Sequence, residues 1–396
     1  MDITIMPRRL HGRIEVIPSK SQAHRVLICS AFSDRPSQIY CAETNRDIEA
    51  TAECLQALGA QILRTDCGYH VFPMETPPKQ AVLPCAESGS TLRFLLPVAG
   101  ALGVDTVFTM EGRLPQRPLS PLWEEMEQMG CRLTRPTENT IHCTGKLHPG
   151  TYWIDGGVSS QYITGLLFAL SLLESKSCLK ITGNIESRPY IEMTRSTLRC
   201  FETDPDHPGA EPFHSPGEIR IEGDWSNGAF FLAANELGND LELQGLNPRS
   251  VQGDCAVVHM LPLLKNGSPV ISAADNPDLV PVLAVTAANL HGARFTEIHR
   301  LRMKESDRVM SVLRMLQDLG GQAEADENTL TVYAQPLTGG VVDSFNDHRI
   351  AMSAAIASTV CRNPVTILGA ECVQKSYPRF WNVFRSVGGV YEQYLR

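Results

Sequence analysis

Glu87-Ser88-Gly89-Ser90-Thr91-Leu92-Arg93-Phe94-Leu95-Leu96 sets a run of small hydrogen-bonding residues directly before an apolar stretch. A helix starting here offers free backbone N–H groups and a partial positive charge at its first turn. Serine, threonine and glycine donate hydrogen bonds without blocking the backbone, so the segment reads as a place for a phosphate or carboxylate. Polar residues are rare beyond Arg93, so the helix is expected to be buried on nearly every side. Further out, Leu119 to Gly130 reads as an amphipathic helix stopped by glycine.

The same order recurs: a polar anion-type motif, an Ala/Gly-rich apolar helix, a strand, an amphipathic helix ending in Gly, then two short strands. Ser19-Lys20-Ser21-Gln22-Ala23-His24-Arg25 and Val158-Ser159-Ser160-Gln161 open two further units in the N-terminal half. Lys304-Glu305-Ser306-Asp307-Arg308 and Asn346-Asp347-His348-Arg349 stand before helical stretches in the C-terminal half. Apolar helices starting near residues 24, 91, 161, 227, 279 and 348 lie 52 to 70 residues apart. That spacing predicts six units, three per half, although the likeness is in pattern and not in identity. The other amphipathic helices are expected at Asp47 to Gly59, Ser306 to Gly320 and Arg379 to Gly388, and strand pairs at Gln61–Arg64 with Tyr69–Phe72 and at Thr329–Tyr333.

The expected fold class is therefore α/β (α+β) with two similar domains, 19–223 and 1–18 plus 224–396. A first strand, Gly12 to Ile17, precedes the first unit and is expected to complete the C-terminal domain. The chain would then cross between domains near Pro18-Ser19-Lys20 and near Asp224, and two connecting strands make a hinge at which ligands favour binding.

At 396 residues the chain exceeds one ordinary core. A formal charge of −9 argues against a nucleic-acid or membrane-surface role, which calls for a basic excess. The cations of the motifs are local devices in an acidic background. Met1-Asp2-Ile3-Thr4 shows no export signal and no apolar run approaches membrane-spanning length, so a cytoplasmic location is expected. The 12 cysteines include no Cys-x-x-Cys pair and read as reduced, mostly core, residues and not as a metal site.

Each motif also has a plain structural reading. Lys304 and Arg308, four residues apart, can grip one anion together; with Glu305 they also make an ordinary solvated helix start with an internal ion pair. Asp347 fits an N-cap, yet His348 and Arg349 ahead of a wholly apolar helix need accommodation near a buried end. Lys20, Arg25 and Arg93 can each cap a domain edge. Arg117, between Gln116 and Pro118, is held stiffly enough to clamp a ligand. Ser187-Arg188-Pro189-Tyr190 suits a turn, Asp278 a cap, and Lys375 a solvated lysine. Recurrence weighs against these readings, because the motif-bearing ends fall at the same place in their repeats and the fold would gather them.

Together these strings resemble the 5-enolpyruvylshikimate-3-phosphate synthase family, which transfers a carboxyvinyl group from phosphoenolpyruvate to shikimate 3-phosphate. The resemblance runs from Lys20 to Lys375 and is most specific at Val158-Ser159-Ser160-Gln161, at Arg302-Met303-Lys304-Glu305-Ser306-Asp307-Arg308 and at Asn346-Asp347-His348-Arg349. It implies two domains of three βαβαββ units each, an inside-out α/β barrel architecture, with the active site in the interdomain cleft. It implies that shikimate 3-phosphate meets Lys20, Ser21, Arg25, Ser159, Ser160, Gln161, Ser187, Asp278 and Lys304. It places phosphoenolpyruvate with Lys20, Gly89, Arg117, Gln161, Arg308, Arg349 and Lys375. Asp278 is expected as the base near the acceptor hydroxyl, Glu305 as the group exchanging a proton with the methylene carbon, and Lys20 as an alternative proton carrier. Neither metal nor organic cofactor is implied, and a monomer working on two small molecules is expected. The chain departs from the family pattern at Pro18, where a glycine is usual, at Arg300, where many members have a substrate-contacting Asn, and at Phe94, where some have Pro. The sister family acting on UDP-N-acetylglucosamine carries a cysteine in the loop before an Arg-Pro, and the segment from Glu111 to Arg117 has none. A binding protein that has lost turnover would have no need of both Asp278 and Glu305.

Overall fold

The computed structural model describes residues 1–210 and 212–394. The chain divides into two compact units: residues 18–221, here the N-terminal unit, and residues 1–17 with the chain from Glu222 onward, the C-terminal unit.

In the N-terminal unit the helices are α1 (Lys20–Ala31), α2 (Arg46–Ala57), α3 (Gly89–Leu102), α4 (Leu122–Gln128), α5 (Ser160–Ser171) and α6 (Arg188–Cys200). The middle repeat is complete. Gln80–Pro84 pairs in parallel with Asp105–Thr109, which pairs antiparallel with Thr140–Gly145, itself paired with Cys131–Thr137. With α3 and α4 between them, these strands form one βαβαββ unit. Ser37–Tyr40, Gly68–Phe72 and Gln61–Thr65 build a second four-stranded sheet whose outer parallel place is taken by Glu218–Arg220, from the end of the unit. Thr151–Asp155 and Cys178–Thr182 pair in parallel as the third sheet.

The C-terminal unit contains α7 (Trp225–Glu236), α8 (Val257–Asn266), α9 (Val280–Asn289), α10 (Arg308–Asp318), α11 (His348–Ser358) and α12 (Phe380–Ser386). Val270–Ser272, Ala293–Thr296, Thr329–Val332 and Ala323–Ala325 form its complete βαβαββ sheet. The strand expected at Gly12 to Ile17 runs His11–Glu15 and pairs in parallel with Asp240–Gln244. An unforeseen strand, Asp2–Met6, lies between Val365–Leu368 and Val390–Tyr394 and pairs antiparallel with both.

Burial follows the hydrophobic pattern. α3 buries every residue from Thr91 to Ala101, α9 from Val280 to Ala288, and α11 all its residues. These are the all-apolar helices, and they occupy the core while the sheets lie outside them. α10 buries Arg308, Val309, Ser311, Val312, Met315 and Leu316, the one-sided spacing of an amphipathic helix. Ser19, Ser88, Ser159, Asp224, Asp307 and Asp347 each accept a backbone N–H as N-caps, so the polar motifs are also the helix starts.

α3 and α5 touch through Gly165. A Cβ there would lie 2.2 Å from Arg93 O and 3.1 Å from Pro97 Cγ. Pro97 has no N–H to give Arg93 O, four residues earlier, and the absent side chain at 165 brings the α5 backbone against that carbonyl. Among the described residues no helix is long and apolar enough to cross a membrane. None of the cysteines is paired, and those at 29, 41, 54, 85, 131, 143, 361 and 372 are buried.

Candidate active site

Within the N-terminal unit, the starts of α1, α3, α5 and α6 are tied together by their own polar side chains. Arg25 is 2% exposed. Its Nε donates to Thr194 Oγ1 at 2.8 Å, Nη1 to Ser21 O at 2.6 Å, and Nη2 to Tyr190 O at 2.9 Å and Thr164 Oγ1 at 3.4 Å. One N–H on Nη1 remains for a ligand. Burial pulls this guanidinium down to about 10, which still leaves it charged at neutral pH. Arg25 thus fixes Ser21 against the segment that carries Ser187, a buried residue at φ 54 just before α6.

At the neighbouring starts, Gln161 Nε2 donates to Ser90 Oγ at 3.0 Å while its Oε1 accepts from Arg93 Nη1 at 3.3 Å. Arg93 Nη2 also donates to Pro118 O at 3.1 Å, beside Arg117. A Cβ on Gly89 would stand 2.6 Å from Arg117 Nη1 and 2.6 Å from Arg93 Nη1. Two cations therefore press on the glycine that opens α3. Arg117 Nε is buried and has no hydrogen-bond partner among the described residues. Ser159 caps α5, and Ser160 begins it. Lys20 Nζ is 2.9 Å from Asp47 Oδ2 in the first turn of α2.

The C-terminal unit gathers a denser set of charges. Arg308, 1% exposed, donates from Nε to Asp347 Oδ2 at 2.8 Å, from Nη1 to Asp278 Oδ1 at 2.6 Å and from Nη2 to Glu305 Oε2 at 2.6 Å. Asp278 also receives Arg349 Nη2 on Oδ2 at 2.9 Å and Arg349 Nη1 on its carbonyl at 3.2 Å, with Lys304 Nζ 3.4 Å from Oδ1. Burial alone would raise the Asp278 carboxyl. Arg349, Lys304 and Arg308 overcome that and hold it well below the usual carboxylate range. Lys304 is drawn down to about 8, by burial first, with Asp278 opposing and Arg300 and Arg308 adding to the fall. Lys375 Nζ donates to Asn346 O at 2.8 Å. Phe345 and Asn346 hold φ of 52 and 54, left-handed values that cost energy in non-glycine residues and persist where neighbouring contacts enforce them. Ala86, two residues before the Ser88 cap, is another such position at φ 48.

The structure thus brings together Asp278, Lys304, Glu305, Arg308 and Arg349, with Lys375 joined through Asn346. In the other unit it links Ser21 with Arg25, and Gly89 with Arg117 and Gln161. Several partners were not singled out from sequence. Asp347 is an N-cap as read, but it is also a buried anion for Arg308 and Ser306 Oγ, the latter at 3.0 Å. Asp47, Thr164 and Thr194 had no motif; a threonine within the apolar run after Gln161 was the one available signal.

The family profile described as "EPSP synthase (3-phosphoshikimate 1-carboxyvinyltransferase)" matches residues 5–384. A relative from Clostridium kluyveri named 3-phosphoshikimate 1-carboxyvinyltransferase is 38% identical, over 99% of this chain and 98% of its own length. A relative of the same name from Clostridium novyi is 35% identical over 99% of both chains. A solved structure of EPSP synthase from Acinetobacter baumannii superposes with a TM-score of 0.79, covering 99% of this chain and 100% of that one at 22% identity, a likeness of fold. With the profile spanning the repeats of both units, and both charged motifs of the C-terminal unit lying inside it, the chain belongs to the EPSP synthase family.

Proposed function

We propose that this chain transfers the 1-carboxyvinyl group of phosphoenolpyruvate to the 5-hydroxyl of shikimate 3-phosphate and releases phosphate, the step that leads toward chorismate and the aromatic amino acids. The observation that carries this reading is the family match along nearly the whole chain. The charge clusters support it: the two substrates bring two phosphates and two carboxylates to one place, and dense cations offset their repulsion.

The chemistry is addition followed by elimination. The methylene carbon of phosphoenolpyruvate gains a proton, the 5-hydroxyl loses one and its oxygen bonds to C2. The C2–O bond to phosphate then breaks, the methyl group gives up a proton, and the vinyl double bond re-forms. Asp278 is assigned to the hydroxyl proton and Glu305 to the carbon proton, with Lys20 as an alternative carrier. Asp278 is strongly acidic in this structure because three cations face it. Its basicity therefore increases when substrate anions draw Lys304, Arg308 or Arg349 away.

Shikimate 3-phosphate is assigned to Lys20, Ser21, Arg25, Ser159, Ser160, Gln161, Ser187, Asp278 and Lys304. Phosphoenolpyruvate is assigned to Lys20, Gly89, Arg117, Gln161, Arg308, Arg349 and Lys375. The working species is a monomer in the cytoplasm. Arg308 retains one N–H on each Nη for a carboxylate or phosphate after its three internal bonds. Phosphate release on mixing the protein with phosphoenolpyruvate and each acceptor tests the reading. Release with shikimate 3-phosphate and none with UDP-N-acetylglucosamine is expected; the reverse would move the function to the sister reaction.

A further inference from the structure

A line of buried hydroxyls runs from α1 through α2 to the start of α3. His24 Nδ1 is 2.7 Å from Thr51 Oγ1, which is 2.7 Å from Thr91 Oγ1. The Thr91 hydroxyl donates to Ser88 Oγ at 2.7 Å, the Asp47 carbonyl being a more distant acceptor at 3.4 Å, and the Thr91 backbone N–H donates to Ser88 Oγ at 3.2 Å. His24 and Ser88 are 1% exposed, Thr51 and Thr91 0%. Each hydroxyl has one proton, so the direction of the line follows from its end. With Thr91 donating to Ser88, Thr51 donates to Thr91 and accepts from His24 Nδ1–H. Burial, Lys20 and Arg25 hold the His24 ring well below its ordinary pKa, so it is neutral and carries its single proton on Nδ1. His24 Nε2 is left as a buried acceptor with no partner among the described residues, and the ring sits edge-on to Phe94 at 6.3 Å.

Leaving a ring nitrogen unsatisfied is unfavourable, and valine would fill the space of Thr51 without polar atoms. The arrangement makes physical sense if the orientation of the last hydroxyl matters. We propose that His24, Thr51 and Thr91 are positioning residues that hold the Ser88 cap, and so set the backbone of Gly89, where the phosphoenolpyruvate anion is received. This rests on the reading that the start of α3 takes that substrate. Ser88 is the residue before Gly89, and Arg117 and Arg93 press directly on Gly89, so a small turn of the cap shifts N–H groups relative to both guanidiniums. Thr91 holds Ser88 by two bonds, and Thr51 holds Thr91. The cap is thereby locked from α2, which carries none of the residues assigned to substrate.

Thr51→Val removes the central hydroxyl at constant shape, and Thr51→Ser restores it. In Thr51→Val the KM for phosphoenolpyruvate is expected to rise about tenfold, with kcat and the KM for shikimate 3-phosphate within about twofold of the parent; Thr51→Ser stays within about twofold throughout. In the unliganded proteins, hydrogen exchange of the Thr91 amide should quicken about tenfold in Thr51→Val and stay unchanged in Thr51→Ser. An unaltered phosphoenolpyruvate KM, a parallel rise in both KM values, or unchanged Thr91 exchange in Thr51→Val would each overturn the proposal. Absence of turnover in the parent would overturn the functional reading instead, and the exchange measurement would still decide whether the hydroxyl line controls the cap.

Discussion

Asp278 Oδ1 accepts a 2.6 Å hydrogen bond from Arg308 Nη1, joining the turn before α9 to the first residue of α10. Arg308 is fully enclosed, and its other bonds go to Asp347 and Glu305, so one guanidinium orients three carboxylates. Two of these are the residues assigned to proton transfer. Substrate anions that compete for Arg308 would loosen both at once.

Asp278→Asn keeps the size and removes the charge. Loss of the hydroxyl base is expected to lower kcat by about 10²- to 10⁴-fold while the KM for shikimate 3-phosphate changes by less than about threefold. The folded carboxyl titrates well below the unfolded value of about 3.9, so its stabilising contribution is fully present above that value and is lost as pH falls through the folded pKa. The parent should therefore exceed the variant in stability by roughly 3 kcal/mol at neutral pH, with the gap narrowing in acid. Urea midpoints at neutral and strongly acidic pH measure this.

Lys304, near 8 in the free protein, predicts a fall in kcat/KM for shikimate 3-phosphate as pH rises through that value. Lys304→Arg keeps its charge throughout and should lose that limb, whatever its absolute rate. Because the unfolded lysine titrates near 10.4, the unfolded chain binds more protons between the two values, and this group's contribution to stability rises with pH across that window. Superimposable pH profiles for the two proteins would remove Lys304 from the residues that bind shikimate 3-phosphate.

Gly89→Ala places a methyl group 2.6 Å from the guanidinium ends of Arg117 and Arg93. Both are flexible and can retreat, so the protein should fold, with the cations displaced from the start of α3. The KM for phosphoenolpyruvate is expected to rise at least about tenfold, and that for shikimate 3-phosphate by less than about threefold, in steady-state assays.

Gly165→Ala meets the backbone oxygen of Arg93 at 2.2 Å. A carbonyl in a buried helix cannot step aside cheaply, so α3 and α5 must separate. A loss of about 1–3 kcal/mol is expected in denaturant melts. The bond between Gln161 and Arg93 should weaken with it, raising the KM for phosphoenolpyruvate as well.

Period and punctuation made the repeats legible. Apolar runs after Ser88, Ser159 and Asp347 became the enclosed helices, and glycines at 59, 130, 320 and 388 ended or followed the amphipathic ones. Asp2–Met6 escaped notice because its partners, Val365–Leu368 and Val390–Tyr394, lie at the other end of the chain and no local pattern announces such a pairing. The candidate site residues stood out as polar and charged strings in an acidic chain, yet their mutual arrangement was not legible there. Arg25 read as the cap of a domain edge or as a substrate contact, and the sequence did not show that Thr194, Thr164 and two backbone carbonyls take up most of its donors. Asp347 had the local signature of a cap, and its second function depends on Arg308, 39 residues earlier. The hydroxyl line from His24 to Ser88 joins three helices through residues that individually look like helix filler.

The most direct test of the account is turnover of phosphoenolpyruvate and shikimate 3-phosphate in deuterium oxide, with product masses and released phosphate followed together. Addition–elimination predicts one phosphate per product and deuterium in the vinyl methylene, since the carbon gains a solvent proton before losing one. Product formed without deuterium, or phosphate released without a carboxyvinyl product, would contradict it.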